Sequence, residues 1–232
     1  METKNIIIAL IVVIVIGGGV WWALRPAPEV SPSNGEAEPP KVEETEPEST
    51  ETENELAEVL SRVDEIGSLK YEIFSLTPEG EFSAQFWQKN NQTRMETTAE
   101  GQIVIMLANF DDETAYLYLP DQNIATRVDL AQAPEIVEGA LKQQATYLMG
   151  YDPVIVGRET IDGRECLVIE YAAFGEATTM WIWEEHGLPI RTITETEYGL
   201  IESTASNIEF LEIADDMFEL PAEVEIIETP SF

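Results

Sequence analysis

The chain has 232 residues with 12 Lys+Arg, 45 Asp+Glu, one His and one Cys. One Cys excludes a disulfide framework and a Cys-based zinc site, and one His leaves no His-rich metal centre and counts against His-dependent catalysis. A formal net charge of −33 argues against nucleic acid and anionic lipid headgroups as docking surfaces, because both need basic partners.

The N-terminus is apolar. Ile6 to Leu24 is 19 residues without a charge, and at 1.5 Å per residue that is about 28 Å, close to the hydrocarbon thickness of a bilayer. Ile6, Leu10 and Ile16 carry the apolar run, and Trp21 and Trp22 stand near one end, where aromatic belts form. Residues 1–25 are therefore expected to be a transmembrane anchor. The alternative is a signal peptide cleaved near Gly17-Gly18-Gly19, which would leave a secreted protein. No Cys lies near this segment, so a lipoprotein cysteine is excluded. Lys4 on one side and Arg25 on the other leave orientation undecided by charge.

Residues 26–54 hold six Pro and nine Glu but only two Val as larger aliphatics. Such a stretch cannot bury enough surface to fold, and its charges repel. It is expected to be a disordered tether with a span of roughly 30 Å or more. Residues 55–232 keep nine Lys+Arg and 35 Asp+Glu. Most of the acidity therefore belongs to the folding part, where it favours solubility.

Asn54 can cap a helix whose Leu56, Val59, Leu60, Val63 and Ile66 fall on one stripe, ending before Gly67. Strand patterns follow at 69–76, 81–90, 93–99, 102–109, 114–119 and 124–129. They are separated by Pro78-Glu79-Gly80, Glu100-Gly101, Asp111-Asp112 and Pro120-Asp121. Pro134 opens a second helix over 134–149, with Val137, Leu141 and Leu148 on its apolar face. Five more strands are expected at 153–161, 165–172, 177–184, 189–197 and 200–213, with Asp162-Gly163 as a hairpin turn. The class is mainly β with helices: an antiparallel meander in a strongly curved sheet or open barrel, with two helices against it. Strands 102–109 and 180–183 are apolar on both faces, so both faces are expected to be covered. Packing against helices and an apolar ligand cavity are the two explanations.

The order of several short motifs resembles the LolA-like superfamily, the outer-membrane lipoprotein carriers and their relatives. They are Trp87-x-Lys89, Arg94-x-Glu96 and Tyr116-x-Tyr118-x-Pro120. Beyond the second helix come Gly157-x-Glu159-Thr160-x-Asp162-Gly163-x-x-Cys166, Trp183 before Gly187-Leu188-Pro189-x-Arg191, and Phe218-Glu219-Leu220-Pro221. The resemblance covers nearly all of 55–228. It implies an unclosed half-barrel covered by helices, an extracytoplasmic location with the N-terminus in the cytoplasm, and acyl chains or lipid-modified proteins bound in the concavity. On that reading the ligand-cavity candidates are Trp87, Lys89, Arg94, Met106, Tyr116, Tyr118, Leu141, Leu148, Trp181 and Trp183. Lys89 and Arg94 are candidate cations at the cavity mouth.

Lipoprotein carriers have a basic residue where this chain has Asn90, and a tether suits a membrane-proximal binder or sensor better than a free carrier. The expected partners are a lipid or acylated protein, with the membrane reached through the N-terminal helix. The alternative function is an envelope sensing module that binds a protein partner and no small ligand. No cofactor, metal or catalytic residue is expected: no G-x-S-x-G elbow, H-E-x-x-H or phosphate-binding loop is present. His186 is expected in an exposed turn and Cys166 as a buried small hydrophobe.

Overall fold

A computed structural model describes residues 48–130, 140–173 and 175–228. The apolar segment 6–24, the tether up to residue 47 and the first part of the second expected helix lie outside the described residues. Among the described residues no helix is long and apolar enough to cross a membrane.

Twelve strands form one unclosed sheet in the order β12-β6-β5-β4-β3-β2-β1-β11-β10-β9-β8-β7. The strands are β1 (Ser68–Thr77), β2 (Gly80–Lys89), β3 (Gln92–Ala99), β4 (Gln102–Asn109), β5 (Thr114–Leu119), β6 (Ile124–Asp129), β7 (Val154–Ile161), β8 (Arg164–Ala173), β9 (Glu176–Trp183), β10 (Leu188–Thr196), β11 (Gly199–Phe210) and β12 (Glu225–Glu228). All eleven expected strands are present within a few residues of their expected ends. Two antiparallel meanders, β1–β6 and β7–β11, join side by side where β1 pairs with β11. Turn residues do what their chemistry dictates: Asp162 and Gly163 both take positive φ (50° and 79°), the twist-matched geometry of a two-residue hairpin.

Two helices cover one face, here called the inner face. Helix α1 (Glu48–Ser61) runs into a 3-10 turn (Arg62–Glu65), and α2 (Leu141–Leu148) runs into another (Met149–Tyr151). Leu56, Val59, Leu60, Val63 and Ile66 are all buried. At about 1.5–3 kcal/mol for each side chain removed from water, this stripe rather than intrinsic propensity holds the helix. One boundary differs from expectation. Helix α1 begins at Glu48, so residues 48–54 are helix and not tether. The last proline of the tether is Pro47, and the Glu-rich run after it contains no helix breaker.

Strand β12 was not expected from the sequence. It is four residues long and pairs parallel to β6, in a sheet whose other pairings are antiparallel. The segment leading to it, 211–224, crosses the outer face of the sheet. Leu220 and Val224 pack there against Ile105, Leu107, Tyr118 and Ala125. This explains why β4 is apolar on both sides: Val104, Met106 and Ala108 face the helices, and Ile105 and Leu107 face the C-terminal segment.

Candidate functional site

Cross-strand register defines the two faces. On the inner face, Tyr71, Phe86, Met95, Met106, Leu117 and Thr126 lie directly opposite one another from β1 to β6. The Tyr71 and Phe86 rings stack at 5.2 Å with planes 3° apart. Leu167, Ile169, Met180, Ile182 and Ile190 continue the same buried interior on the other meander. Into it project the apolar stripe of α1 and Leu141, Ala145 and Leu148 of α2. These side chains are buried together between the sheet and the helices. Two openings of about 280 Å³ each lie around the start of β1. One is lined by Asp64, Glu65, Asn90, Asn91 and Lys142, the other by Arg62, Glu65, Glu185, His186 and Phe210.

A buried polar network ties α2 to the sheet. Ala140 precedes α2 and provides no side-chain cap. The orphan amides of the first turn are met from across the interior instead: the Leu141 N–H donates to Tyr71 Oη (3.3 Å) and the Lys142 N–H to Gln88 Oε1 (3.3 Å). The Tyr71 hydroxyl donates to Gln88 Oε1 (3.0 Å), and Gln88 Nε2 donates to Gln143 Oε1 (2.7 Å) and Thr93 Oγ1 (3.1 Å). Gln88 is fully buried, so an unmet bond in this set carries a full desolvation cost. Burial pushes the Tyr71 phenol well above its ordinary value, against the opposing pull of the Leu141 N–H, and keeps it an O–H donor. The Lys142 ammonium donates to the Ile66 carbonyl (2.8 Å), which joins α2 to the start of β1. Burial lowers its pKa, and the nearby Asp64 charge works in the opposite direction.

The ten cavity candidates divide between the faces. Met106, Leu141 and Leu148 are buried in the inner packing. Trp181 and Trp183 alternate with Met180 and Ile182 along β9, yet Trp181 belongs to the same buried cluster and Trp183 packs against it. The other five, Trp87, Lys89, Arg94, Tyr116 and Tyr118, stand on the opposite side of the sheet. Lys70, Trp87, Arg94, Leu107, Tyr116 and Arg127 form one outer row across β1 to β6. Tyr118 belongs to the next outer row, between Ile105 and Ala125. Lys89, two residues from Trp87, shares its face. The tight turn at Asn90-Asn91 thus leaves Lys89 and Arg94 together, but away from the interior. Lys70 and Arg94 each lie 5.8 Å from the Trp87 ring centre. Lys89 Nζ donates to the Ile213 carbonyl (2.7 Å) and pairs with Asp215 (2.6 Å), while Arg94 pairs with Glu96 and donates to the Met217 carbonyl (3.0 Å). The two cations expected at a cavity mouth instead fasten the C-terminal segment.

On the other meander, Trp181 is buried under the Arg191 guanidinium (4.7 Å), and its Nε1–H donates to Glu159 (2.9 Å). Trp183 lies 5.0 Å from Arg164 and edge-on to His186 at 4.3 Å. His186 is half-buried between Trp183 and Phe210 rather than exposed, because the turn that carries it folds back under α1. Gly187 in that turn has φ +66°, and a Cβ there would meet the backbone of Val59 and Leu60. Cys166 is fully buried, as expected. The Gln88 network was missed by sequence reading. A Gln alternating with Phe86 and Ala84 on an otherwise apolar face is the signal that could have found it.

Comparison with solved structures bears on this architecture. An uncharacterized conserved protein from Thermus thermophilus superposes with a TM-score of 0.56 over 75% of this chain and 98% of that one, at 12% identity. MucB superposes with a TM-score of 0.52 over 77% of this chain and 66% of that one, at 14% identity. The domain has the LolA-like fold. The lipoprotein LppX of Mycobacterium tuberculosis is also similar, at 16% identity over 72% of this chain and 99% of that one, with a TM-score of 0.47. No protein-family model matches the sequence, and no curated protein sequence does. Within that fold, Trp87, Lys89, Arg94, Tyr116 and Tyr118 stand on the outer face of the sheet.

Proposed function

We propose that this chain is a protein-interaction module of the envelope-sensing kind, held on the outer side of a membrane by its N-terminal segment. One observation carries the reading. On the inner face, where a LolA-like ligand would lie, Leu56, Val59, Leu60, Leu141 and Leu148 are buried in one cluster with the Tyr71–Phe86–Met95–Met106–Leu117 row. A module that recognises proteins needs a firm scaffold and an accessible surface, not an emptied interior. MucB forms a complex with MucA, which supports protein recognition as a use of this fold. The uncharged span 6–24 and the Pro/Glu tether support the location. The proposal assigns no catalysis.

Lipid or acylated-protein binding is the second reading. The observation in its favour is that the face beneath α1 and α2 is apolar, so lifting the helices would open an apolar trough. Native mass spectrometry of residues 48–232 separates the two. The expected mass is that of the polypeptide alone, with no saturable uptake of a fluorescent fatty acid. A stoichiometric lipid adduct would overturn the first reading and establish the second.

A further inference from the structure

The C-terminal segment behaves chemically as a peptide ligand of its own domain. From Leu211 onward it forms no hairpin with a neighbouring strand. It crosses the outer face as an extended segment with one 3-10 turn (Asp215–Phe218) and ends as a parallel strand on the β6 edge. Its grip has three parts. Lys89 and Arg94 donate to its carbonyls at Ile213 and Met217, and Lys89 also pairs with its Asp215. Phe218 is buried, and Leu220 and Val224 rest on the Ile105–Leu107–Tyr118–Ala125 floor. Asn123 then takes both ends of one bond pair, its Nδ2 donating to the Glu223 carbonyl (2.8 Å) and its carbonyl accepting the Glu225 N–H (3.1 Å). Main-chain bonds, apolar sockets at spaced positions and addition at a sheet edge are the elements of extended-peptide recognition.

The floor is distinct from the main core. Ile105, Leu107, Tyr118 and Ala125 form a separate buried cluster, and Leu220 and Val224 of this segment are the hydrophobic side chains that pack against it among the described residues. The cover is thin: Leu220 and Val224 are half-buried, and Glu219, Pro221, Ala222 and Glu223 are exposed. The charge pattern is equally specific. In a domain with nine Lys+Arg against 35 Asp+Glu, two of the cations are spent here, on a segment that carries Glu212, Asp215, Asp216, Glu219, Glu223 and Glu225.

We propose that this outer groove is the interaction site of the module, that residues 211–228 occupy it in cis as a displaceable strap, and that its partner is an extended acidic segment of another protein. That segment would bear apolar residues at the spacing of Phe218, Leu220 and Val224. The proposal deepens the protein-interaction reading and rests on it. The strap sets the partner's chemistry, because it is the sequence that the groove is seen to fit. Tethering the competitor to the groove gives it an effective concentration in the millimolar range, so a partner must either be tight or arrive when the strap is loosened.

The test uses the full chain in detergent micelles and a fluorescein-labelled synthetic peptide of residues 211–228, followed by anisotropy. In Leu220→Ser/Val224→Ser chain the peptide is expected to bind saturably, at least tenfold tighter than to the unmodified chain. Adding Arg94→Glu to that variant, or replacing the acidic residues of the peptide by Lys, is expected to abolish binding. Native circular dichroism certifies each variant. Hydrogen exchange on the unmodified chain gives a readout that needs no variant: amides 219–228 should exchange at least tenfold faster than those of β4. Equal protection of the strap and β4 would overturn displaceability. A folded, loosened chain that does not bind the peptide would overturn the groove. Dimers of the unmodified chain held by exchanged straps, detected by light scattering, would make a second copy the occupant and overturn the assignment to another protein. A lipid adduct in native mass spectrometry would instead defeat the reading beneath it, without altering the peptide titration.

Discussion

Replacing Gln88 by Leu tests whether α2 is held by the sheet's polar side chains. The side chain is fully buried and makes four hydrogen bonds, two as acceptor from Tyr71 Oη and the Lys142 N–H and two as donor to Thr93 and Gln143. Leu keeps most of the volume but offers no partner. The Lys142 amide and the Gln143 carbonyl lose these bonds inside the protein, at about 1–3 kcal/mol each. The added apolar burial offsets about 1 kcal/mol of that sum. A net loss of about 2–4 kcal/mol is expected. With a urea dependence near 2 kcal/mol per molar, the midpoint should fall by about 1–2 M. Trp fluorescence and far-UV circular dichroism follow the transition. Thr93→Val, which removes one bond of the network, should cost only about 1 kcal/mol. A midpoint shift under about 0.3 M for Gln88→Leu, with a native spectrum, would refute the claim that this network positions α2.

Gly187→Ala should destabilise by about 2–4 kcal/mol, because a methyl at φ +66° would overlap the Val59 carbonyl under α1. Gly163→Ala, at φ +79° but with nothing within 4 Å, should cost only about 1 kcal/mol, and thermal melts compare the two. Burial pushes the Cys166 thiol up to about 11, so its thiolate is withheld at neutral pH. The folded chain should react with a thiol-specific disulfide reagent only at the rate of unfolding. The same shift has a sign: the unfolded chain loses this proton first, so stability should fall as pH rises from the ordinary thiol range toward 11 and be indifferent to it below. Urea midpoints at pH 7, 9 and 10.5 check this. The full chain should remain in the membrane fraction through an alkaline carbonate wash, and a mature N-terminus at Val20 would defeat the anchor.

Local chemistry was enough for the strands and most turns. Asp162-Gly163 and Glu100-Gly101 need left-handed backbone, and the runs between such points alternate with period two, so eleven strands could be placed from the sequence. The stripe Leu56-Val59-Leu60-Val63-Ile66 likewise marked the buried face of α1. The resemblance pointed to the fold as well, and the superpositions agree with it at 12–14% identity. What local chemistry could not decide was which face was inner. Alternation shows that Trp87 and Arg94 oppose Phe86 and Met95, but both sets are large and partly apolar. Only the position of the helices makes Phe86 and Met95 the interior and leaves Trp87 and Arg94 outside. Nor could a four-residue parallel strand be read from Glu225–Glu228, because its pairing with β6 lies about a hundred residues away and no turn announces it. The Gln88 network and the C-terminal strap belong to the same class. Each is a set of contacts between segments far apart in the chain, whose free energy comes from being brought together, and so the tertiary structure alone determines them.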